Sequence, residues 1–216
     1  MNNKFLLSII YILFIGINTE AASIQQLFLN APENIFPSLT KQQKFELLEY
    51  GKLDRKDSIL NKFNNHISGL QPDTINNSIK FQENPVSRIQ MRLFTNEQSD
   101  SLICMIRTYT GTDSISTITF YDTTFRTKKE QFTLPQATVW LKKNIPEEGN
   151  IDAQWFSNTL ESSYVSARFD KNGNIIFHNQ LLNFLSAEDK KTISPFLNDE
   201  EIVYKRTGLS WSAPKE

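Results

Sequence analysis

Glycine, histidine and cysteine are all scarce in this 216-residue chain, and each shortage removes a class of chemistry. The one cysteine, Cys104, rules out an intramolecular disulfide. It does not follow the N-terminal apolar run, where a lipoprotein would need it. The seven glycines are scattered singly, so several backbone N–H groups cannot converge on a phosphate as in nucleotide-binding loops. The two histidines, His66 and His178, lie in no H-E-x-x-H or related pattern, which argues against a zinc site. No G-x-S-x-G elbow is present for a serine hydrolase. Basic residues never run longer than Lys128-Lys129 or Lys142-Lys143, and the net charge is −1. A nucleic-acid binder neutralises phosphates and carries a basic face, so no nucleic acid and no nucleotide are expected as partners, and no cofactor.

What the chain does have begins at its N-terminus. Asn2, Asn3 and Lys4 precede an apolar stretch from Phe5 to Ile17, then Thr19, Glu20, Ala21 and Ala22. A weakly basic head, a short apolar core and small residues form the layout of a secretory signal. The apolar stretch falls short of the roughly 20 residues needed to span a bilayer. Residues 1–22 are therefore expected to be cleaved after Ala21 or Ala22, leaving a periplasmic or secreted protein that does not span the membrane. Residues 23–216, with 39% hydrophobic and 22% charged residues across the whole chain, are expected to form a single α+β domain.

Ile24, Leu27, Phe28 and Ala31 share one helical face, and Pro32 stops that helix. Thr40 and Gln43 form a capping box for a second helix, which the pattern ends at Gly51. Alternation then predicts strands: Ile75, Ile79 and Phe81; Ile89, Met91 and Leu93; Ile115 to Tyr121; Gln131 to Leu134. Leu102 to Ile106 is apolar on both faces and belongs inside a sheet. The links are too short for parallel crossovers, so residues 58–134 read as an antiparallel meander of five or six strands. The last third mixes short helices (137–143, 152–160 and one capped by Ser186) with strands at 164–169, 175–177, 202–204 and 209–211. Asp170 to Asn174 is a hairpin turn, with Asn172-Gly173 supplying positive φ.

Several segments together resemble a domain-of-unknown-function family of small exported Bacteroidetes proteins. They are Ile24 to Pro32, Phe36-Pro37-Ser38-Leu39-Thr40, Asp100 to Thr108, Ser114 to Asp122, and the close around Tyr204 and Trp211. The resemblance spans nearly the whole mature chain. It implies export and this fold, and it brings no catalytic residue.

Each remaining chemical candidate has a plainer explanation. Cys104 sits among Leu102, Ile103, Met105 and Ile106, the setting of an inert buried thiol rather than a nucleophile. His66 and His178 read as strand residues on polar faces. Asp170, Asn172 and Asn174 offer oxygens, but Gly173 falls at the wrong place for an EF-hand, and a turn explains them. The acidic pairs Glu147-Glu148 and Asp199-Glu200-Glu201 read as solvated. Trp140, Trp155 and Trp211 read as core or rim residues. Asp followed by Ser or Thr and then an apolar residue or Thr recurs more often than composition predicts. This triplet resembles the acceptor of a bacterial O-glycosylation system and marks Ser58, Thr74, Ser101, Ser114 and Thr123. Turn-to-strand chemistry explains the same triplets. The sequence thus favours a non-catalytic binding or assembly module for a peptide, lipid or partner protein of the envelope. The alternative is an envelope hydrolase whose acids or histidines are gathered only by folding.

Overall fold

A computed structural model of the protein describes residues 22–53, 58–111, 114–128, 132–142 and 153–214. The expected signal (1–22, except Ala22), the start of the helix expected at 152 and the end of that expected at 143 lie outside the described residues, as does Gln131. No described helix is long and apolar enough to cross a membrane.

The fold is α+β, as expected. Helices α1 (Ile24–Asn30) and α2 (Lys41–Lys52) precede an antiparallel meander of β1 (Ser58–Leu60), β2 (His66–Asp73), β3 (Ser78–Asn84), β4 (Ser87–Thr95), β5 (Ser101–Thr110), β6 (Ser114–Tyr121) and β7 (Thr127–Lys128). Each strand pairs with its sequence neighbour; the sequence predicts a meander of five or six strands, and the two-residue β7 is a seventh. Helix α3 (Ala153–Leu160) leads to β8 (Val165–Phe169) and β9 (Ile175–Asn179). Helix α4 (Ala187–Ile193), β10 (Ile202–Thr207) and β11 (Ser210–Ser212) close the chain. These last four strands form a second antiparallel sheet in the order β11-β10-β9-β8.

The meander is the middle layer, and its alternation sorts two cores. Ile79 and Phe81 of β3, Ile89, Met91 and Leu93 of β4, and Ile103 and Met105 of β5 turn to the helices. There they meet Ile24 and Phe28 of α1 and Leu47 and Leu48 of α2. Phe28, Phe36 and Phe81 pack as a triad of rings with centroids 5.2–5.9 Å apart. Each such fully buried ring is worth about 1.5–3 kcal/mol. Leu102, Cys104 and Ile106 of the same β5 turn the other way, with Phe94 and Phe120, into a core closed by Trp140, Leu160, Val165, Phe177, Ile193 and Trp211. Strand β8 lies across β5 and β6.

Both helix starts carry the capping box that hydroxyl and amide spacing predicts: Ser23 with Gln26, and Thr40 with Gln43. The loop between the helices is tied to the sheet by a polar cluster. Glu83, buried at a bulge in β3, accepts from the hydroxyls of Ser38 (3.4 Å) and Ser87 (3.2 Å). It also faces Arg107 Nε at 3.4 Å, while Arg107 Nη2 donates to the Ile35 carbonyl. Lys44 is buried too, and its ammonium donates to the Ala31 carbonyl at 2.6 Å.

Four expectations change. Gly51 does not end α2, which continues to Lys52 with Leu53 as its cap. Its smallness serves packing instead, because a Cβ there would lie 2.6 Å from the Leu70 carbonyl oxygen. Ile75 is not in a strand but at a turn, 94% exposed. Asp73 accepts from the Asn76 amide there and Asn77 takes positive φ, so the turn closes before β3 begins. Phe132 and Leu134 pack against the second core without joining a strand. Residues 137–140 form a single 3-10 turn rather than the start of a longer helix, and Leu141 then bridges to Leu197.

The 170–174 turn docks the second sheet on the first. Gly173 alone has positive φ (83°), and its missing side chain admits Phe94, whose ring would lie 2.6 Å from a Cβ. Arg92 and Arg206 guanidinium carbons sit 5.1 and 5.0 Å from the centre of that ring. Arg92 also donates to the carbonyls of Asp170 and Lys171.

Gly173→Ala should therefore cost about 2–4 kcal/mol in urea unfolding, combining positive-φ strain with overpacking. Lys171→Ala, in the same turn, should stay within about 0.5 kcal/mol. Lys44 makes a second prediction. Burial first, and then the neighbouring Lys41 charge, hold its pKa below the usual lysine value. Between that lowered value and about 10.4 the unfolded chain binds more protons, so this group's contribution to stability rises with pH there. Denaturation midpoints measured from neutral pH upward should lose that component of the rise in Lys44→Met.

Candidate binding cleft

The face of the meander turned away from the helices changes character at β4. On β5 and β6 it presents Leu102, Cys104, Ile106, Ile118 and Phe120, and the second sheet covers them. On β2 to β4 it presents Gln71, Lys80, Gln82, Arg88 and Gln90, which sheet register sets in rows: Gln71 beside Lys80 beside Gln90, and Gln82 beside Arg88. The second sheet stops where the apolar surface stops. A cleft of about 600 Å³ remains, floored by those side chains, walled by Arg168 and Phe169 of β8, and bordered by Gly69. That volume is ordinary for a small-molecule site.

Local chain features shape it. Register slips between Ser68 and Gln71, where Gly69 takes φ 67°. The bulge lets Ile67 and Leu70 both reach the helix-side core while Gln71 returns to the open face. At the wall, Phe169 N–H donates to Gln90 Oε1 (3.4 Å) and Ala167 N–H to Ser116 Oγ (2.8 Å). Arg168 Nη2 reaches both carboxylate oxygens of Glu201 at 3.0 Å.

No carboxylate among the described residues lines this cleft. Among the described residues, Lys80 and Arg88 have neither an ion-pair nor a hydrogen-bond partner. A smaller adjoining hollow of about 230 Å³ shares Lys80, Gln90 and Phe169 and adds Arg92, Lys171, Asp73 and Asp170. Both of its acids are occupied by their own turns: Asp73 accepts from Asn76, and Asp170 from Asn172 and Asn174. The Asn76 side-chain amide, above all, holds the Asp73 carboxyl below its ordinary pKa. Burial, then the neighbouring Arg206, lowers that of Arg92.

The residues singled out from sequence fall elsewhere. Cys104 is fully buried, and burial pushes its thiol well up in pKa, as an inert core thiol requires. His66 and His178 are on different sheets. Folding does give each a neighbour that spacing did not reveal. Ser58 Oγ lies 2.9 Å from His66 Nδ1, and His178 Nε2 lies 3.7 Å from Asp199 Oδ1. Ser58 and His66 are both exposed on the meander's rim, and neither lines the cleft. No three His, Cys, Asp or Glu among the described residues gather at metal-ligand distance. The 170–174 oxygens serve the turn. Trp140 and Trp211 are core residues whose indoles donate to the Glu200 and Gly173 carbonyls. Glu147 and Glu148 lie outside the described residues.

Of the triplet hydroxyls, Ser58, Ser101 and Ser114 open β1, β5 and β6. Thr74 and Thr123 are exposed in the turns after β2 and β6. Asp73 and Asp122 close those turns through their carboxylates. The cleft itself went unseen in the sequence. Its one legible sign is the contrast between polar Ser78, Lys80 and Gln82 on the outer face of β3 and apolar Leu102, Cys104 and Ile106 on that of β5.

A family model described as "Protein of unknown function (DUF3256)" matches residues 17–211. The chain belongs to that family. This agrees with the resemblance drawn from its segments. The DUF3256 fold recurs in the solved structure of a domain of an uncharacterised protein from Porphyromonas gingivalis W83, at a TM-score of 0.72 and 19% identity. The match covers 91% of this chain and 100% of that one. No curated protein matches.

Native protein should stay silent toward Ellman's reagent, and unfolding in guanidinium should release the single Cys104 thiol. Rapid reaction in the folded state would contradict its place in the second core.

Proposed function

We propose that this DUF3256 protein is an exported, non-catalytic binding module of the cell envelope, and that the cleft between β2–β4 and β8 is its binding surface. One observation carries this reading: the second sheet covers only the apolar half of the meander's outer face and leaves a basic, amide-rich half open. Paired carboxylates would suit hydrolysis, but none of the described residues lining the cleft carries one. Its unpaired cations suit attraction and retention of a ligand. Export rests on the signal-like layout of residues 1–22. Within the same reading, Thr74 and Thr123 are the best-exposed acceptors for O-linked sugar, since both stand in turns clear of strand pairing.

Native mass spectrometry of the mature protein purified from its own host's envelope tests this. The expected spectrum shows a non-covalent adduct that disappears in Lys80→Glu/Arg88→Glu. Cleavage after Ala21 or Ala22 should be seen in the same spectrum, with any sugar mass lost in Thr74→Ala or Thr123→Ala. An adduct that survives the charge reversal would move the binding surface elsewhere. A bare protein in repeated preparations would count against the binding role.

A further inference from the structure

We infer that the ligand of this cleft is an anionic saccharide, a sugar chain bearing carboxylate or phosphate groups; the inference rests on the binding reading above. Sign comes first. Lys80 and Arg88 converge on a lining that holds no carboxylate among the described residues, while Arg168 at the wall is paired with Glu201, in a protein whose net charge is −1. Lys80 and Arg88 are exposed and unpaired, so their charge is available to a ligand. A positive cleft inside a near-neutral protein concentrates anions locally.

The groups between the cations narrow the class. Gln71 and Gln82, like Lys80 and Arg88, have no hydrogen-bond partner among the described residues, and each amide both donates and accepts. A ligand made only of carboxylates would satisfy the cations and leave the amide N–H groups well used but the amide oxygens idle. Sugar hydroxyls donate and accept together, and a ring carrying an acid offers both functions at the spacing of one residue row.

Backbone geometry disfavours an extended peptide. The outward N–H groups of β8 at Ala167 and Phe169 are taken by Ser116 Oγ and Gln90 Oε1, so no strand can add to that edge. The floor is a sheet face within the meander, where β3 is paired on both sides. None of its five outward floor side chains is apolar, so the floor offers no row of apolar pockets to a helix; Phe169 at the wall is the apolar side chain that a sugar ring can lie against.

Isothermal titration of the intact mature protein with three probes decides the matter: hexagalacturonate, neutral maltohexaose and hexaglutamate. Hexagalacturonate should bind more tightly than the other two, and weaken as salt rises from about 0.05 M to about 0.5 M. Lys80→Gln/Arg88→Gln should weaken it about ten-fold or more. Gln71→Ala/Gln82→Ala should also weaken hexagalacturonate, and by a larger factor than hexaglutamate, which uses only the amide N–H groups. All four positions are on the surface, and circular dichroism checks that the variants fold. Hexaglutamate binding as tightly as hexagalacturonate would overturn the saccharide and leave the binding module standing. Maltohexaose binding equally well would remove the anionic requirement. Silence with all three would also overturn the saccharide assignment, while the native mass spectrum independently decides whether the protein binds anything.

Discussion

The middle of strand β5, Leu102 to Ile106, has no side that can meet water. Leu102, Ile103, Cys104, Met105 and Ile106 are all buried, and a strand apolar on both faces must be covered twice. Helices α1 and α2 supply one cover and the second sheet supplies the other. The rest of the layering follows. The meander follows α1 and α2 along the chain, and the described elements after β7 roof its far side. The roof is only as wide as the apolar surface beneath it, which spans β5 and β6 and reaches β4 only at Phe94. The cleft is therefore a by-product of where hydrophobic side chains stop on a continuous sheet, and polar residues of the meander become its floor.

Holding the roof in register falls to few contacts. The 170–174 turn lowers Gly173 onto Phe94, and Arg92 and Arg206 close on the two flanks of that ring. Trp211 completes the joint, edge-on to Phe94 at 5.0 Å with its indole N–H on the Gly173 carbonyl. Two like charges near each other are unfavourable, but the Phe94 ring attracts both guanidinium groups, and the turn carbonyls accept hydrogen bonds from Arg92. The same joint sets the position of Phe169 and Arg168, and so the width of the cleft.

Much of the fold was legible because local signals agreed with it. Capping at Thr40, the alternation from Ile89 to Leu93, the doubly apolar Leu102 to Ile106 and the 170–174 turn each carry their own explanation within a few residues. The misplacements share a cause. Gly51 reads as a terminator because its reason for being small, the Leu70 carbonyl, is 19 positions away in sequence. Ile75 reads as a strand residue because apolar spacing continues across a turn that only Asp73 and Asn77 announce. Lys80, Gln82 and Arg88 look like any wet strand face, and only the extent of the second sheet decides whether such a face is open surface or cleft. The Ser58–His66 contact was hidden for the same reason, since strand pairing rather than sequence spacing creates it.

The rims of the two sheets share one property. Strands β1 and β11 are three residues long and β7 is two. The outer carbonyl of Leu60 on β1 accepts from the Gln43 amide, and two outward N–H groups of β8 are already filled by side chains. A protein built mostly of strands would ordinarily risk edge-on polymerisation, since an open rim is a template for the next molecule. Here a neighbouring chain would find little exposed ladder to extend. Edge-on growth from one molecule to the next therefore has few places to start.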